Sequence, residues 1–240
     1  MESKVPYSCL MYHEVVESKI TKCSVKPMAF NEQMKTLVKS GINSFILGNK
    51  VSSGTKNCLI TFDDGHGSNL QSARLMCELG LTGYFYLIKD FSLSKPDYLS
   101  EKDIKEISSL GHKCGVHGKT HDHWAKMDEK RLVSDLKETK DWIEQLTGEP
   151  VVTCSAPGGV IDKRTIDIIK KEIPDLKYIR TSRYGINYEN NTVLNSIGVL
   201  RDYSLDKVVG IARNDWWTMR KIMAYYHAKE LVKPLYHFIK

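Results

Sequence analysis

The sequence predicts an α/β protein built on a parallel sheet or a β/α barrel, and three observations support this. Short apolar segments alternate with longer amphipathic ones along the 240 residues, with roughly 20 to 40 residues in each strand-and-helix unit. Polar clusters lie at the carboxyl ends of three of the predicted strands, at 63–64, 117–123 and 157–159. The carboxyl ends of parallel strands meet on one side of such a fold, so the clusters are expected to form one composite site.

The elements follow from these apolar patterns. Strands are predicted at 7–13, 43–47, 58–64, 83–88, 113–118, 151–157 and 176–182. Helices are predicted at 30–40, 69–79, 100–110, 128–146 and 163–171, with a C-terminal helical segment at about 216–240 that is interrupted near Pro234. Ser100 with Asp103 has the pattern of a capping box at the start of its helix.

Composition indicates a globular chain, with 41% hydrophobic and 27% charged residues. We predict a single domain over 1–240. The net charge of +6 is a mild excess without long basic runs, so no nucleic-acid partner is expected. The six cysteines form no C-x2-C pair, and four of them are expected to be buried free thiols: Cys9, Cys58, Cys114 and Cys154.

The cellular location is predicted from the lengths of the apolar segments. The N-terminal residues show no signal-peptide pattern, and no apolar run reaches the ~18 residues of a transmembrane helix. A cytoplasmic location is therefore expected. The C-terminal segment mixes lysine, tyrosine and apolar residues, so peripheral membrane contact is one interpretation and a helix that closes the barrel is the commoner one.

Two adjacent carboxylates, Asp63 and Asp64, follow an apolar, β-branched strand. In extended backbone they would point to opposite faces, so they are expected to do different jobs. One would bind a metal and the other would act on a water held by that metal. The sequence DDG is also typical of a solvated turn, and alone it does not decide between the two.

A histidine pair, His117 and His121, has the H-x3-H spacing of metal ligands, and His123 adds a third imidazole. Imidazole suits zinc, cobalt, nickel and iron better than calcium or magnesium. Two histidines with an aspartate from another strand end would leave coordination positions open, as a hydrolytic metal requires. A polar surface loop is the alternative interpretation.

Two further features lie at strand ends. The segment 155–159 reads SAPGG, and its glycines let the backbone approach a ligand closely enough for an N–H to stabilise an oxyanion. An ordinary turn is the alternative there. His13 follows the first strand, where an imidazole could protonate a leaving amine near neutral pH. A structural role is the more common one for a lone histidine.

Taken together, these residues resemble the polysaccharide deacetylase family, the NodB-homology or carbohydrate esterase 4 group. Residues 61–65 reproduce its TFDDG motif, 117–121 resemble H-[ST]-x-x-H with Gly118 in place of Ser or Thr, and 155–159 resemble R-x-P-x-G. The resemblance spans about residues 7–200. The segment 10–15, LMYHEV, is similar to the branch in which the catalytic-histidine motif has moved to the N-terminus, as in poly-N-acetylglucosamine deacetylases.

The resemblance implies a distorted (β/α)7 barrel and a set of roles. Three residues would hold one divalent transition metal, zinc by preference and cobalt, nickel or iron otherwise: Asp64, His117 and His121. Asp63 would take a proton from the attacking water, and His13 would protonate the leaving amine. Pro157 and the N–H of Gly158 would meet the substrate and its oxyanion.

The implied activity is removal of an N-acetyl group from an amino sugar, with release of acetate. The substrate would be an oligosaccharide, a polysaccharide precursor or a sugar nucleotide. Relatives with this fold also act on other C–N bonds, so a deformylase or a cyclic imide or ureide hydrolase is the alternative. Such relatives tend to lose metal ligands, whereas all three are present here. A binding module on an inactive enzyme is a third hypothesis, which the intact catalytic residues disfavour.

Three positions depart from the family pattern. Ser155 stands where the family has an arginine that orients the base aspartate, and Arg180 or Arg183 on the next strand is the predicted substitute. Asp122 stands where the family often has proline. Trp216 could line the acetyl pocket, but we predict that it packs in the core.

Overall fold

The structure, a computed structural model, describes residues 5–51, 53–159 and 161–236, with side chains to residue 228. Its strands are β1 Pro6–Tyr12, β2 Ile42–Ser44, β3 Lys56–Phe62, β4 Tyr84–Leu87, β5 Lys113–Val116, β6 Thr153–Ser155, β7 Tyr178–Arg180, β8 Asn187–Tyr188, β9 Val193–Leu194 and β10 Ile197–Gly198. Its helices are α1 Pro27–Lys39, α2 Asn69–Glu78, α3 Lys89–Ser94, α4 Glu101–Ser109, α5 Glu129–Thr147, α6 Lys163–Glu172, α7 Leu205–Ala212 and α8 Trp216–Tyr236.

The strands form one curved sheet in the order β10-β1-β3-β4-β5-β6-β7-β9, with β2 beside β3 and β8 beside β1. All of these pairs are parallel except β1 with β8. The two ends of the order, β9 and β10, are separated in the chain only by Asn195 and Ser196. The sheet therefore curls into a nearly closed barrel, which brings the carboxyl ends of its strands around one mouth.

Side-chain alternation along the strands separates two apolar layers. Cys58, Ile60 and Phe62 of β3 belong to the larger cluster, which also contains the buried faces of the helices. Leu59 belongs to a smaller cluster with Tyr84 and other residues inside the barrel. Thr61 and Asp63 continue the parity of Leu59, so the strand itself directs Asp63 to the interior at the barrel mouth.

Local signals explain where several elements begin and end. Ser100 and Asp103 form the predicted capping box at the start of α4. Asp128 caps α5 by accepting a hydrogen bond from the N–H of Arg131, and Gly148 ends the same helix in the left-handed region, with φ of 70°. The four cysteines predicted to be buried free thiols are so.

The differences from the predicted elements lie mostly after residue 182. Sequence analysis assigned nothing between 183 and 215, where the structure has three two-residue strands and α7. The predicted interruption near Pro234 is wrong, because α8 continues to Tyr236. Proline there removes one backbone donor in the last described turn. Among the described helices, none combines the length and apolar character needed to cross a membrane.

The prediction that Trp216 packs in the core is also wrong. Its side chain is 59% exposed, and its ring contacts that of Trp217 at 4.4 Å between centroids. Trp216 lies in the first turn of α8, at a surface groove beside Ile186. In the part of α8 whose side chains are described, the buried residues are Met219 and Ile222, which come after this turn.

Candidate active site

Both carboxylates that follow β3 face the same cleft, although extended backbone would separate them. Asp64 has a positive φ of 70°, which turns the chain so that its side chain joins that of Asp63 beside His117. The Nε2 of His117 lies 3.1 Å from Oδ1 of Asp64 and 3.9 Å from Oδ2 of Asp63. Left-handed backbone at a residue other than glycine costs energy and is concentrated at functional sites.

The three predicted metal ligands come together. One ligand atom from each of Asp64, His117 and His121 lies within 4.8 Å of the others, and Nε2 of His121 is 3.3 Å from Oδ1 of Asp64. Ligand atoms around a tetrahedral zinc lie about 3.3 Å apart, given bonds of about 2.0 Å. His121 also has a positive φ, 68°, so two of the ligands adopt unfavourable backbone in order to converge.

The orientation of His117 suits a metal ligand. Its Nδ1 lies 2.7 Å from the backbone carbonyl of Ser155. A carbonyl only accepts hydrogen bonds, so Nδ1 carries the proton and the lone pair is on Nε2, which faces Asp64. The donor set and its geometry therefore fit a divalent transition metal.

The electrostatics of the cluster also favour a cation. Burial opposes ionisation of Asp64, but the imidazoles of His117 and His121 beside it outweigh burial and hold its pKa well below the usual range. Burial likewise opposes a charge on His117, while Asp63 and Asp64 raise its pKa. The two carboxylates thus attract positive charge to the position between the imidazoles.

Arg180, at the end of β7, contacts both Asp63 and Ser155, the residue that stands where the family motif has an arginine. Its side chain is 1% exposed, and Nη2 donates to Oδ2 of Asp63 and to the hydroxyl of Ser155. Nη1 donates to the hydroxyl of Ser196 at 2.9 Å. Arg183 instead donates to the carbonyl of Ile161 at 3.3 Å. Of the two arginines predicted as substitutes, Arg180 is the one that reaches the carboxylate.

Asp63 keeps one oxygen free. Its Oδ1 is buried and has no hydrogen-bond partner among the described residues, whereas Oδ2 accepts from Arg180. The backbone N–H of Asp63 donates to the carbonyl of Tyr12 at 2.9 Å. Both the backbone and one oxygen of this residue are therefore fixed, and the other oxygen can accept a proton.

His13 lines the same cleft as the metal-site residues and Gly158. Its carbonyl accepts a hydrogen bond from Nδ2 of Asn69 at 2.7 Å, which holds the backbone, while its Nδ1 is buried without a partner among the described residues. The end of the first strand therefore places the imidazole of His13 at the site, as the sequence predicted.

The turn after β6 places its residues differently. Gly158 lines the cleft, whereas Pro157 is buried and is not in the cleft lining. His123 lies behind the turn, since a Cβ on Gly158 would lie 2.7 Å from its Cε1, and its Nδ1 is 3.3 Å from the carbonyl of Pro157. His123 is outside the ligand cluster and instead packs against this turn.

Two parts of the site were not predicted from the sequence, the tyrosines at the rim of the cleft and Asp135. The rim of the cleft includes Tyr184, Tyr225 and Tyr226, for which no motif gave a signal. Asp135 on α5 accepts hydrogen bonds from the N–H of Lys119 at 3.0 and 3.1 Å and so holds the loop between the two histidine ligands. The sequence did contain an indication for Asp135, because it is an acidic residue on the otherwise largely apolar face of α5.

Comparison with known families supports these observations. The sequence model described as Polysaccharide deacetylase matches residues 50–172. A curated relative from Bacillus subtilis (strain 168), "Putative polysaccharide deacetylase YxkH", is 24% identical over 170 residues, which is 68% of this chain. The matched part spans 60% of that relative, less than two thirds of its length.

Solved structures share the fold. The deacetylase PplD from Streptococcus pyogenes, determined in complex with acetate, has a TM-score of 0.79 at 18% identity and covers 88% of this chain and 99% of its own. IcaB from Ammonifex degensii has a TM-score of 0.74 at 20% identity, over 86% and 96% of the two chains. The predicted NodB-type (β/α)7 barrel is confirmed, and the predicted enzyme class is that of the family. The motifs, the barrel and the family match together show that this chain belongs to the polysaccharide deacetylase family.

Proposed function

We propose that this protein is a metal-dependent deacetylase that hydrolyses the N-acetyl amide of an amino sugar and releases acetate. The observation that carries the proposal is the convergence of Asp64, His117 and His121 beside a carboxylate held by Arg180. The family supports a sugar polymer as the substrate class. Two imidazoles and one carboxylate favour zinc among the divalent metals, with cobalt, nickel and iron as alternatives.

The metal, when bound by these three residues, would polarise the acetyl carbonyl and lower the pKa of a water. The chain's own groups then have distinct tasks. Asp63 accepts the proton of the attacking water at Oδ1, because Arg180 occupies Oδ2. Arg180 is a positioning residue, since it acts through Asp63.

Cleavage of the C–N bond needs a proton for the departing amine. His13 is the group that we assign to this step, because its ring lines the cleft and imidazole exchanges protons near neutral pH. Gly158 lines the same cleft and is the candidate backbone donor to the oxyanion. Pro157 shapes this turn from its buried position.

The first test measures metal content and acetate release for matched variants. Purified protein is stripped with chelator, reloaded with zinc, cobalt, nickel or iron, and assayed with N-acetylglucosamine oligosaccharides. Wild type should bind close to one metal per chain. Asp64→Asn should lose the metal and the activity together. Asp63→Asn should keep the metal and lose about a thousandfold in kcat.

Asp141→Asn is the control, because Asp141 is an exposed carboxylate on α5, and it should match wild type. Metal-replete Asp63→Asn with near-normal turnover would contradict the role of Asp63. Wild-type protein that binds no transition metal would contradict the metal site. Hydrolysis of cyclic imides or formamides in place of acetylated sugars would favour the alternative hydrolase.

A further inference from the structure

A second cavity lies beside the catalytic cleft, between α7 and α8. The cavity and the cleft each measure about 420 Å³. The second cavity is lined by two tyrosines, two lysines, one carboxylate, one hydroxyl and one aliphatic side chain: Tyr203, Asp206, Lys207, Thr218, Lys221, Ile222 and Tyr225. Tyr225 also lines the catalytic cleft, so one side chain separates the two spaces and is shared by both.

Tyr225 is placed as a platform between the two cavities. Its side chain is 65% exposed. The next residue, Tyr226, stacks on Tyr184 with ring centroids 4.6 Å apart and planes at 18°. Tyr184 in the wall of the cleft and Tyr203 in the wall of the second cavity lie close enough for each to affect the pKa of the other.

The walls of the second cavity combine apolar surfaces with polar edges. Ile222 is buried at its base, and the Nζ of Lys207 lies 3.6 Å from the centroid of the Tyr203 ring. Thr218 and Lys221 add a hydroxyl and an ammonium group. A pyranose ring has apolar C–H faces and a polar rim of hydroxyls, so it matches such a wall better than a purely apolar or purely charged ligand would.

We propose that this cavity binds the sugar unit next to the one that is deacetylated, and that Tyr225 determines a preference for chains of at least two linked amino sugars. The inference rests on the proposed function, because it takes the cleft with Asp63 and His13 as the place of reaction. A chain that runs from the cleft to the second cavity crosses the exposed ring of Tyr225. The C-terminal helix therefore contributes to substrate selection, and its role is not limited to covering the barrel.

Protein NMR titration tests this, with Asp63→Asn introduced into every protein compared so that the ligands are bound but not hydrolysed. The ligands are N-acetylglucosamine and its tetrasaccharides with β-1,4 and β-1,6 linkages, added to wild type, Tyr225→Ala and Trp217→Ala. Trp217 is the matched control, since it is a 63% exposed aromatic residue on the same helix and lines neither cavity. Wild type should bind at least one of the two tetrasaccharides about tenfold more tightly than it binds the monosaccharide. Tyr225→Ala should lose at least about fivefold of that preference, and Trp217→Ala should keep it.

Equal affinities for monosaccharide and tetrasaccharides in wild type would overturn the inference, as would a preference that persists in Tyr225→Ala. Tighter binding of N-acetylglucosamine 1-phosphate than of any tetrasaccharide, lost in Lys221→Ala, would assign the cavity to a phosphate group instead. Because binding is measured separately from acetate release, a chain-length preference in a protein that releases no acetate would refute the proposed function and leave this cavity assignment standing.

Discussion

The floor and the rim of the cleft are built in different ways. We define the floor as Asp63, Asp64, His117 and Arg180, which lie at the ends of three parallel strands, β3, β5 and β7. Three of them are buried, and each is fixed by hydrogen bonds or close ion pairs. We define the rim as the tyrosines Tyr184, Tyr225 and Tyr226. They come from a loop and from α8, and Tyr225 is exposed.

Under the proposed function, the floor carries the reaction and the rim contributes to substrate selection. Strand ends in a closed barrel hold side chains rigidly, which a reaction with a required geometry needs. A helix packed on the outside can change its exposed residues without disturbing the candidate metal ligands. The family match covers 50–172, which includes the floor except Arg180 and excludes the whole rim. The following predictions test how rigid the floor is.

Loss of Arg180 should have the largest effect. Removing one partner of a buried ion pair leaves Asp63 with an uncompensated charge, which costs about 3–5 kcal/mol of stability. Arg180→Met should therefore lower the melting temperature and reduce kcat about a thousandfold. Arg180→Lys keeps the charge but not the forked geometry, so it should fold and still lose about a hundredfold in kcat.

The measurements are kcat, KM and metal content for both variants. A positioning role requires that kcat falls while KM and metal content change little. Arg183→Lys is the matched control, since Arg183 is on the same segment and donates to a backbone carbonyl. If Arg180→Lys had wild-type kcat, the requirement for a guanidinium that contacts Asp63 and Ser196 through its two terminal nitrogens would be refuted.

The comparison of floor and rim also explains what the sequence could predict. The alternation of apolar segments and the polar strand ends predicted the barrel, and the spacing of 63–64 with 117–121 predicted the ligand cluster. Arg180 was one of two named candidates, because the sequence shows neither that β7 ends at residue 180 nor which of the two arginine side chains reaches Asp63. The tyrosines of the rim could not be found, since they meet only after α8 packs on α7, and this contact leaves no local pattern in the sequence.

Asp135 should make stability depend on pH. Burial raises its pKa from the ordinary value to about 6, against the opposing effect of the Lys119 N–H. The folded protein therefore keeps a proton on Asp135 up to a pH near 6, whereas the unfolded chain releases it near pH 4. The free energy of unfolding should therefore fall by about 3 kcal/mol as pH rises from about 4 to about 6. Above that window, Asp135 should contribute no further change.

Asp135→Asn removes this titration and still offers a carbonyl oxygen to Lys119. Relative to wild type, its free energy of unfolding should improve between pH 4 and pH 7, as measured by urea denaturation across that range. The difference between the two proteins cancels the titration of the histidines, which both share. Asp141→Asn should show no such trend. If the free energies of unfolding of Asp135→Asn and wild type differed by the same amount at every pH, the elevated pKa of Asp135 would be contradicted.

The smallest predicted effect concerns Gly118, where the family has Ser or Thr. Gly118 has a φ of 87°, and a Cβ there would lie 3.2 Å from both Oδ1 of Asp135 and Nε1 of Trp124. Gly111 has nearly the same φ, 89°, and a Cβ built there would have no atom within 4 Å.

Alanine at either position should cost about 1–2 kcal/mol of unfolding free energy from backbone strain. Only Gly118→Ala should also shift the loop that carries His121, so it should lose about tenfold in metal affinity by competition with a chelator. Equal metal affinity in the two variants would mean that this loop tolerates displacement, and that the floor is less rigid than its contacts indicate.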